Sequence, residues 1–132
     1  MGVINFLLDT HTLLWAIREP NKLSKTAKGA LNNAEAQFYV SAVSAYEISY
    51  KHKIGKLIGF EDIAKNYLEV LREFGAVELP ISAHHAHYAG SFDWIHRDPF
   101  DRILAAQAYI EGLTLITNDD VFSVLPWVSI LW

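Results

Sequence analysis

Val-Ile-Asn-Phe-Leu-Leu-Asp, residues 3–9, is an apolar run that stops at a carboxylate. Residues 3–8 read as a strand buried on both faces, because a strand with one wet face alternates apolar and polar residues instead. An ionised Asp9 directly after Phe6, Leu7 and Leu8 sits partly buried, and a helix N-terminus or a cation must offset its desolvation. Residues 10–17 then have helical character. The stretch is therefore the start of a strand-to-helix unit with an acid at the turn.

Working outward, the same alternation recurs. Residues 24–34 suggest a helix, 38–40 a β-rich run, and 44–52 a further helix. Ile63, Tyr67, Leu68, Leu71 and Phe74 lie on one stripe of a helix over residues 60–74, with Gly75 where a C-terminal cap belongs. Residues 77–81 are extended, and Pro80 assigns them to a sheet edge. Residues 82–90 form a short helix. Asp98 as N-cap, Pro99 at the first helical position and Gly112 after the end delimit a helix over 99–111. Residues 113–117 and 128–131 are closing strands. This order predicts one α/β domain over residues 1–132, with a mostly parallel sheet covered by helices on both faces. Ligands of such sheets bind at the carboxyl ends of the strands, where Asp9 and the pair Asp119 and Asp120 fall.

Composition narrows the chemistry. The 132 residues are 52% hydrophobic and contain no cysteine, which removes thiolate zinc sites, cysteine nucleophiles and disulfide frameworks together. A reducing cytoplasm is compatible with that. Apolar runs are a few residues long, far short of the roughly 20 that a bilayer span needs. The first residues lack the basic segment of a secretory signal. The formal net charge of -4 speaks on its face against a nucleic-acid partner. By position, however, residues 18–72 hold nine of the eleven basic side chains and six acids, whereas residues 73–132 hold two basic residues and eight acids.

Asp9, Glu47, Asp101 and Asp119 all fall after apolar strands or at helix starts. Two unit charges about 4 Å apart repel by roughly 4 kcal/mol at an effective dielectric near 20, so converging carboxylates call for a shared cation. Oxygen-preferring Mg²⁺ or Mn²⁺ suits such a set. Each acid also has a plainer reading. Asp98 to Asp101 and Ser44 to Glu47 both have the form of a capping box, and Asp119-Asp120 has the form of a turn. The spacing of His84, His85 and His87 spreads them over a helix surface, which favours surface and packing roles over metal ligation.

LLDTHTLLWAI (7–17), VSAVSAYEISYKHKIGKL (40–57) and HRDPFDRILAAQAYIEGLTLITNDDVF (96–122) resemble, in order and approximate spacing, the PIN-domain ribonucleases, and within them the VapC-type toxins of toxin-antitoxin pairs. The resemblance implies a three-layer α/β/α fold and metal-dependent endoribonuclease activity. It makes Asp9, Glu47, Asp101 and Asp119 the catalytic acids, with Asp9 and Asp101 holding Mg²⁺, or Mn²⁺ in its place. Thr10, Thr12 and Thr117 match the hydroxyl residues that accompany those acids, and are expected at the substrate side. Asp98 and Arg102 belong to the DPFDR subtype. The resemblance also implies a cytoplasmic homodimer inhibited by a small antitoxin, for which Trp15, Tyr46, Tyr50 and Leu57 are candidate contacts.

Lys51 and Lys53 follow the Glu47 helix and could cradle a phosphate backbone, or simply favour the helix C-terminus. His96 and Arg97 precede the DPFDR helix and are placed to touch RNA. Two other classes compete with the ribonuclease reading. A haloacid-dehalogenase-like phosphatase needs a second Asp two residues after the first, and that position is His11. A silent α/β binding module would use the acids as caps only.

Overall fold

The computed structural model describes residues 3–132. Strand β1 (Ile4–Leu8) leads into helix α1 (Thr10–Arg18), and a 3-10 turn (Pro20–Lys22) precedes α2 (Lys25–Leu31). Then follow β2 (Ala36–Ser41), α3 (Ala42–Lys53), α4 (Glu61–Lys65), α5 (Tyr67–Phe74) and β3 (Val77–Leu79). Helices α6 (Ala83–Ser91) and α7 (Pro99–Glu111) precede β4 (Thr114–Ile116), a 3-10 turn (Asp120–Val124) and β5 (Ile130–Leu131).

The five strands run in the order β3-β2-β1-β4-β5, and every pairing is parallel. Chain order proceeds outward from β1 to β3 on one side, then resumes at β4 on the other. The carboxyl ends of β1 and β4 therefore flank the point where the winding reverses, the crevice that α/β sheets use for ligands. Register places Leu8 opposite Val40 of β2 and Ile116 of β4.

Alternation along the strands builds the two helix layers. Phe6 and Leu8 of β1 and Ile116 of β4 pack with Leu13, Leu14, Ala27, Ile48, Ile63 and Leu71 on one face. Leu7 and Leu115 pack on the other face with Leu104, Ala105, Ala108 and Phe122. This is the three-layer α/β/α arrangement with an α7 layer opposite the α1, α2, α4 and α5 layer. Among the described residues, no helix is long and apolar enough to cross a membrane.

Two expected elements differ. The stripe over residues 60–74 is divided into α4 and α5 at Asn66, whose φ of -125° and ψ of 36° leave the helical region. Both the backbone N–H and the side-chain amide of Asn66 donate to the Asp62 carbonyl. Asn competes with regular helix bonding in this way, while the apolar stripe continues because both helices bury the same side. The Ser44–Glu47 pair is not a capping box. Ser41 takes the cap, accepting from the Val43 N–H at 3.0 Å, so α3 starts earlier and both residues lie inside it.

Candidate functional site

Asp9 ends β1 and caps α1, with Oδ1 accepting from the Thr12 N–H at 2.7 Å. Its Oδ2 accepts from the hydroxyl of Thr117, which follows β4, and Thr117 Oγ1 in turn accepts from the Asp119 N–H at 3.0 Å. Burial holds the Asp9 carboxyl above its ordinary range, against the lowering effect of the bonds from Thr117 and Thr12. A carboxylate this desolvated retains its charge at neutral pH most readily beside a cation.

Glu47 projects from the first half of α3 and is buried. Its Oε1 accepts from Thr10 Oγ1 at 2.6 Å, its Oε2 lies 2.5 Å from Lys51 Nζ one turn on, and Ser44 Oγ is 2.9 Å from Thr10 Oγ1. The early start of α3 thus aims Ser44 and Glu47 at α1.

Asp98 caps α7 through Oδ1, which accepts from the Phe100 N–H at 2.8 Å. One turn in, Asp101 Oδ2 lies 2.6 Å from His96 Nε2. Asp101 is pushed up to about 6, first by burial and further by the charges of Asp98 and Asp119, with the His96 contact opposing. Asp119 caps the 3-10 turn after β4, its Oδ1 accepting from the Val121 N–H at 3.0 Å.

These acids share one groove of about 310 Å³, lined by Asp9, Glu47, Asp98, Asp101 and Asp119 together with Thr10, His11 and Lys51. Five carboxylates face one permanent cation, and that cation, Lys51, is already paired with Glu47. Like charges confined in this way favour a divalent cation, and oxygen donors fit a hard one such as Mg²⁺ or Mn²⁺. The ligand atoms of His96, Asp98 and Asp101 lie within 4.8 Å of one another.

Asp9, Glu47, Asp101, Asp119, Thr10 and Lys51 thus converge, and Thr117 lies beneath Asp9 as its hydrogen-bond donor. Thr12 is fully buried, and its hydroxyl donates to the Ile116 carbonyl, joining α1 to β4 away from the groove surface. Lys53 and Arg97 are exposed and do not line the groove. Leu57 is buried in the core, so it offers no surface to a partner, whereas Tyr46 and Tyr50 are exposed. His85 is buried, completing a capping box with Ser82 and meeting Glu111 Oε2 at 2.8 Å, a packing role.

Sequence reading missed what Arg102 does. Its guanidinium donates to the carbonyls of Ala89, Phe92, Trp94 and His96, the His96 bond being 2.9 Å. It also lies over the Phe92 ring, 4.3 Å from its centroid. The fork geometry of Arg suits such convergence, which closes the loop carrying His96 onto α7. The signal was faint, a basic residue among the apolar positions of a helix.

Residues 6–128 match the PIN domain family. The chain is 29% identical over 116 residues to Ribonuclease VapC22 of Mycobacterium tuberculosis, covering 86% of this chain and 85% of that protein. Its fold is similar to a chain of DNA-bound VapBC from Salmonella typhimurium, with a TM-score of 0.69, 21% identity and 98% of each chain covered. It is similar also to a chain of VapBC-1 from nontypeable Haemophilus influenzae, with a TM-score of 0.68, 16% identity and 97% of each covered. With the acids gathered at the carboxyl ends of the central strands and the match spanning nearly the whole sequence, the chain belongs to the PIN-domain family.

Proposed function

We propose that this protein is a divalent-metal-dependent endoribonuclease, the toxin of a toxin-antitoxin pair, acting in the cytoplasm as a homodimer of single-domain subunits spanning residues 1–132. The observation that carries the reading is the groove in which Asp9, Glu47, Asp98, Asp101 and Asp119 outnumber Lys51. The similarity to Ribonuclease VapC22 supports RNA as substrate, and the likeness to VapBC structures supports an antitoxin partner.

In this reading Asp9 and Asp101 hold Mg²⁺ or Mn²⁺. When bound, the ion supplies Lewis-acid polarisation of the phosphoryl oxygens and a more acidic water. Glu47 and Asp119 orient water for in-line attack on phosphorus, without a covalent intermediate. Thr10 holds Glu47 in rotamer, and Thr117 does the same for Asp9. Lys51, Lys53 and Arg97 supply positive charge to the phosphate backbone, with His96 between Arg97 and Asp101. Thr12 acts from the core by tying α1 to β4.

The test is cleavage of structured and single-stranded RNA by purified protein with Mg²⁺, with Mn²⁺ and with EDTA. Cleavage that requires the metal and falls at least about 100-fold in Asp9→Asn and in Asp101→Asn is expected. Wild-type rates in Asp101→Asn would remove the assignment.

One observation favours a second reading. Asp9, Asp98 and Asp119 each cap a helix or 3-10 turn through a side-chain oxygen, as acids in a silent binding module would. Calorimetry separates the two, because the silent module binds no divalent ion.

A further inference from the structure

His96 does not line the groove itself, yet its imidazole stands against two of the groove's acids, Asp98 and Asp101, where an all-carboxylate site does not require it. We propose that His96 is a nitrogen ligand to a divalent ion bound on the Asp98 and Asp101 side of the groove, forming with those two acids a mixed nitrogen-oxygen site that selects first-row transition ions, Mn²⁺ among them, over Mg²⁺. This rests on the metal-dependent reading above and adds to it both a ligand and a preference.

Geometry carries the inference. Octahedral ligands at about 2.1 Å from an ion lie about 3 Å apart when adjacent and about 4.2 Å apart when opposite. His96 Nε2 and Asp101 Oδ2 are 2.6 Å apart, and the three ligand atoms, Asp98 included, lie within 4.8 Å of one another. That spread is comparable with the separations an ion would impose on its ligands. Asp98 uses Oδ1 on the Phe100 N–H, which leaves Oδ2 for a ligand role.

The imidazole is also held before any ion arrives. Arg102 fixes the His96 carbonyl, and the Trp94 ring packs beside the imidazole with centroids 4.8 Å apart. Arg102 follows Asp101 directly, yet its hydrogen bonds go to backbone carbonyls. Among the described residues, the one ion-pair partner of Asp101 is His96, and Asp98 has none. No permanently charged side chain among the described residues thus balances the two carboxylates of the trio.

Imidazole is a borderline donor that strengthens binding of Mn²⁺, Co²⁺ or Zn²⁺ more than of Mg²⁺. An oxygen-only set gains no such bias.

The experiment uses the whole chain without RNA. Mn²⁺ is titrated in and followed by electron paramagnetic resonance, with pulsed detection of ¹⁴N coupling and competition by Mg²⁺. Directly coordinated nitrogen is expected in the wild type. In His96→Ala that coupling should vanish, and the preference for Mn²⁺ over Mg²⁺ should fall by about 10-fold or more. His96→Gln keeps a hydrogen-bonding group for Asp101 but is a poor metal ligand, so it should behave like His96→Ala, with circular dichroism checking both folds. No nitrogen coupling in the wild type, coupling that persists in His96→Ala, or a wild-type Mn²⁺ preference in His96→Gln overturns the proposal. Mg²⁺-dependent RNA cleavage alongside such a result would leave the ribonuclease reading standing, whereas failure of either ion to bind would overturn both.

Discussion

The Thr117 hydroxyl donates to Asp9 Oδ2 across 108 residues of sequence and accepts from the Asp119 N–H, so one side chain ties the acids at the ends of β1 and β4. Thr117→Val keeps the shape and removes both bonds, leaving Asp9 with one fewer donor in a buried position. Unfolding in urea should show a loss of about 1–3 kcal/mol. Calorimetric Mn²⁺ affinity should fall by about 10-fold, since Asp9, the proposed ligand, loses the group that orients it. An unchanged affinity would assign Thr117 to the core alone.

Asp101 links stability to pH with the reverse of the usual carboxylate sign. Its pKa is raised from 3.8 to about 6 in the folded protein. The native state therefore binds its proton more tightly, and that stability is present below pH 4 and lost as pH rises through 6. Without metal, Asp101→Asn should gain on the wild type by about 2 kcal/mol between pH 4 and pH 7, after allowance for partial screening by water. With millimolar Mg²⁺ at pH 7 the order should reverse, because the ion stabilises only the protein that can bind it. Thermal melts in EDTA and in MgCl₂ test both halves.

Arg102 should prove a structural arginine. Removing it in Arg102→Met leaves the carbonyls of Ala89, Phe92, Trp94 and His96 without their shared donor. Hydrogen bonds to a charged group contribute about 1.5–3 kcal/mol each and are not additive, so a loss of at least 3 kcal/mol in urea is expected. Arg102→Lys should recover less than half of it, since a point charge cannot reproduce the fork.

Lys51 and Lys53 separate by their surroundings. Lys51 is paired with buried Glu47 inside the groove, whereas Lys53 is exposed beyond it. Each, changed to Ala, should lower the slope of log RNA affinity against log salt by about 1 if it neutralises a phosphate. Lys51→Ala should in addition tighten Mg²⁺ binding, because Glu47 is released from its partner. An unaltered slope in Lys53→Ala would leave that residue as a solvated helix end.

Much of the site was legible from local pattern. Asp9 after an apolar strand, and Asp98, Pro99 and Gly112 around α7, are signals confined to a few adjacent residues, and the helix they delimit is the one observed. Glu47 was legible as a resembling acid but illegible in register, because Ser41 and Ser44 are both good caps and packing chose the earlier. Asn66 was hidden inside a helical stripe that tertiary burial preserves across the break. Thr12 read as an active-site hydroxyl, yet only the neighbouring strand shows that its partner is the Ile116 carbonyl.

By itself, then, the sequence determined the alternation of strand and helix, the acid that ends β1 and the acid that caps α7. Periodicity, caps and desolvation act within a few residues and need no knowledge of the fold. Tertiary structure alone decided that β1 lies between β2 and β4, and so that Asp9 meets Thr117, Glu47 meets Thr10, and His96 meets Asp101. Those pairings depend on which buried strands lie side by side and on where each helix begins. Packing settles both, and a hydroxyl, a carboxylate or an imidazole does not announce its partner in advance.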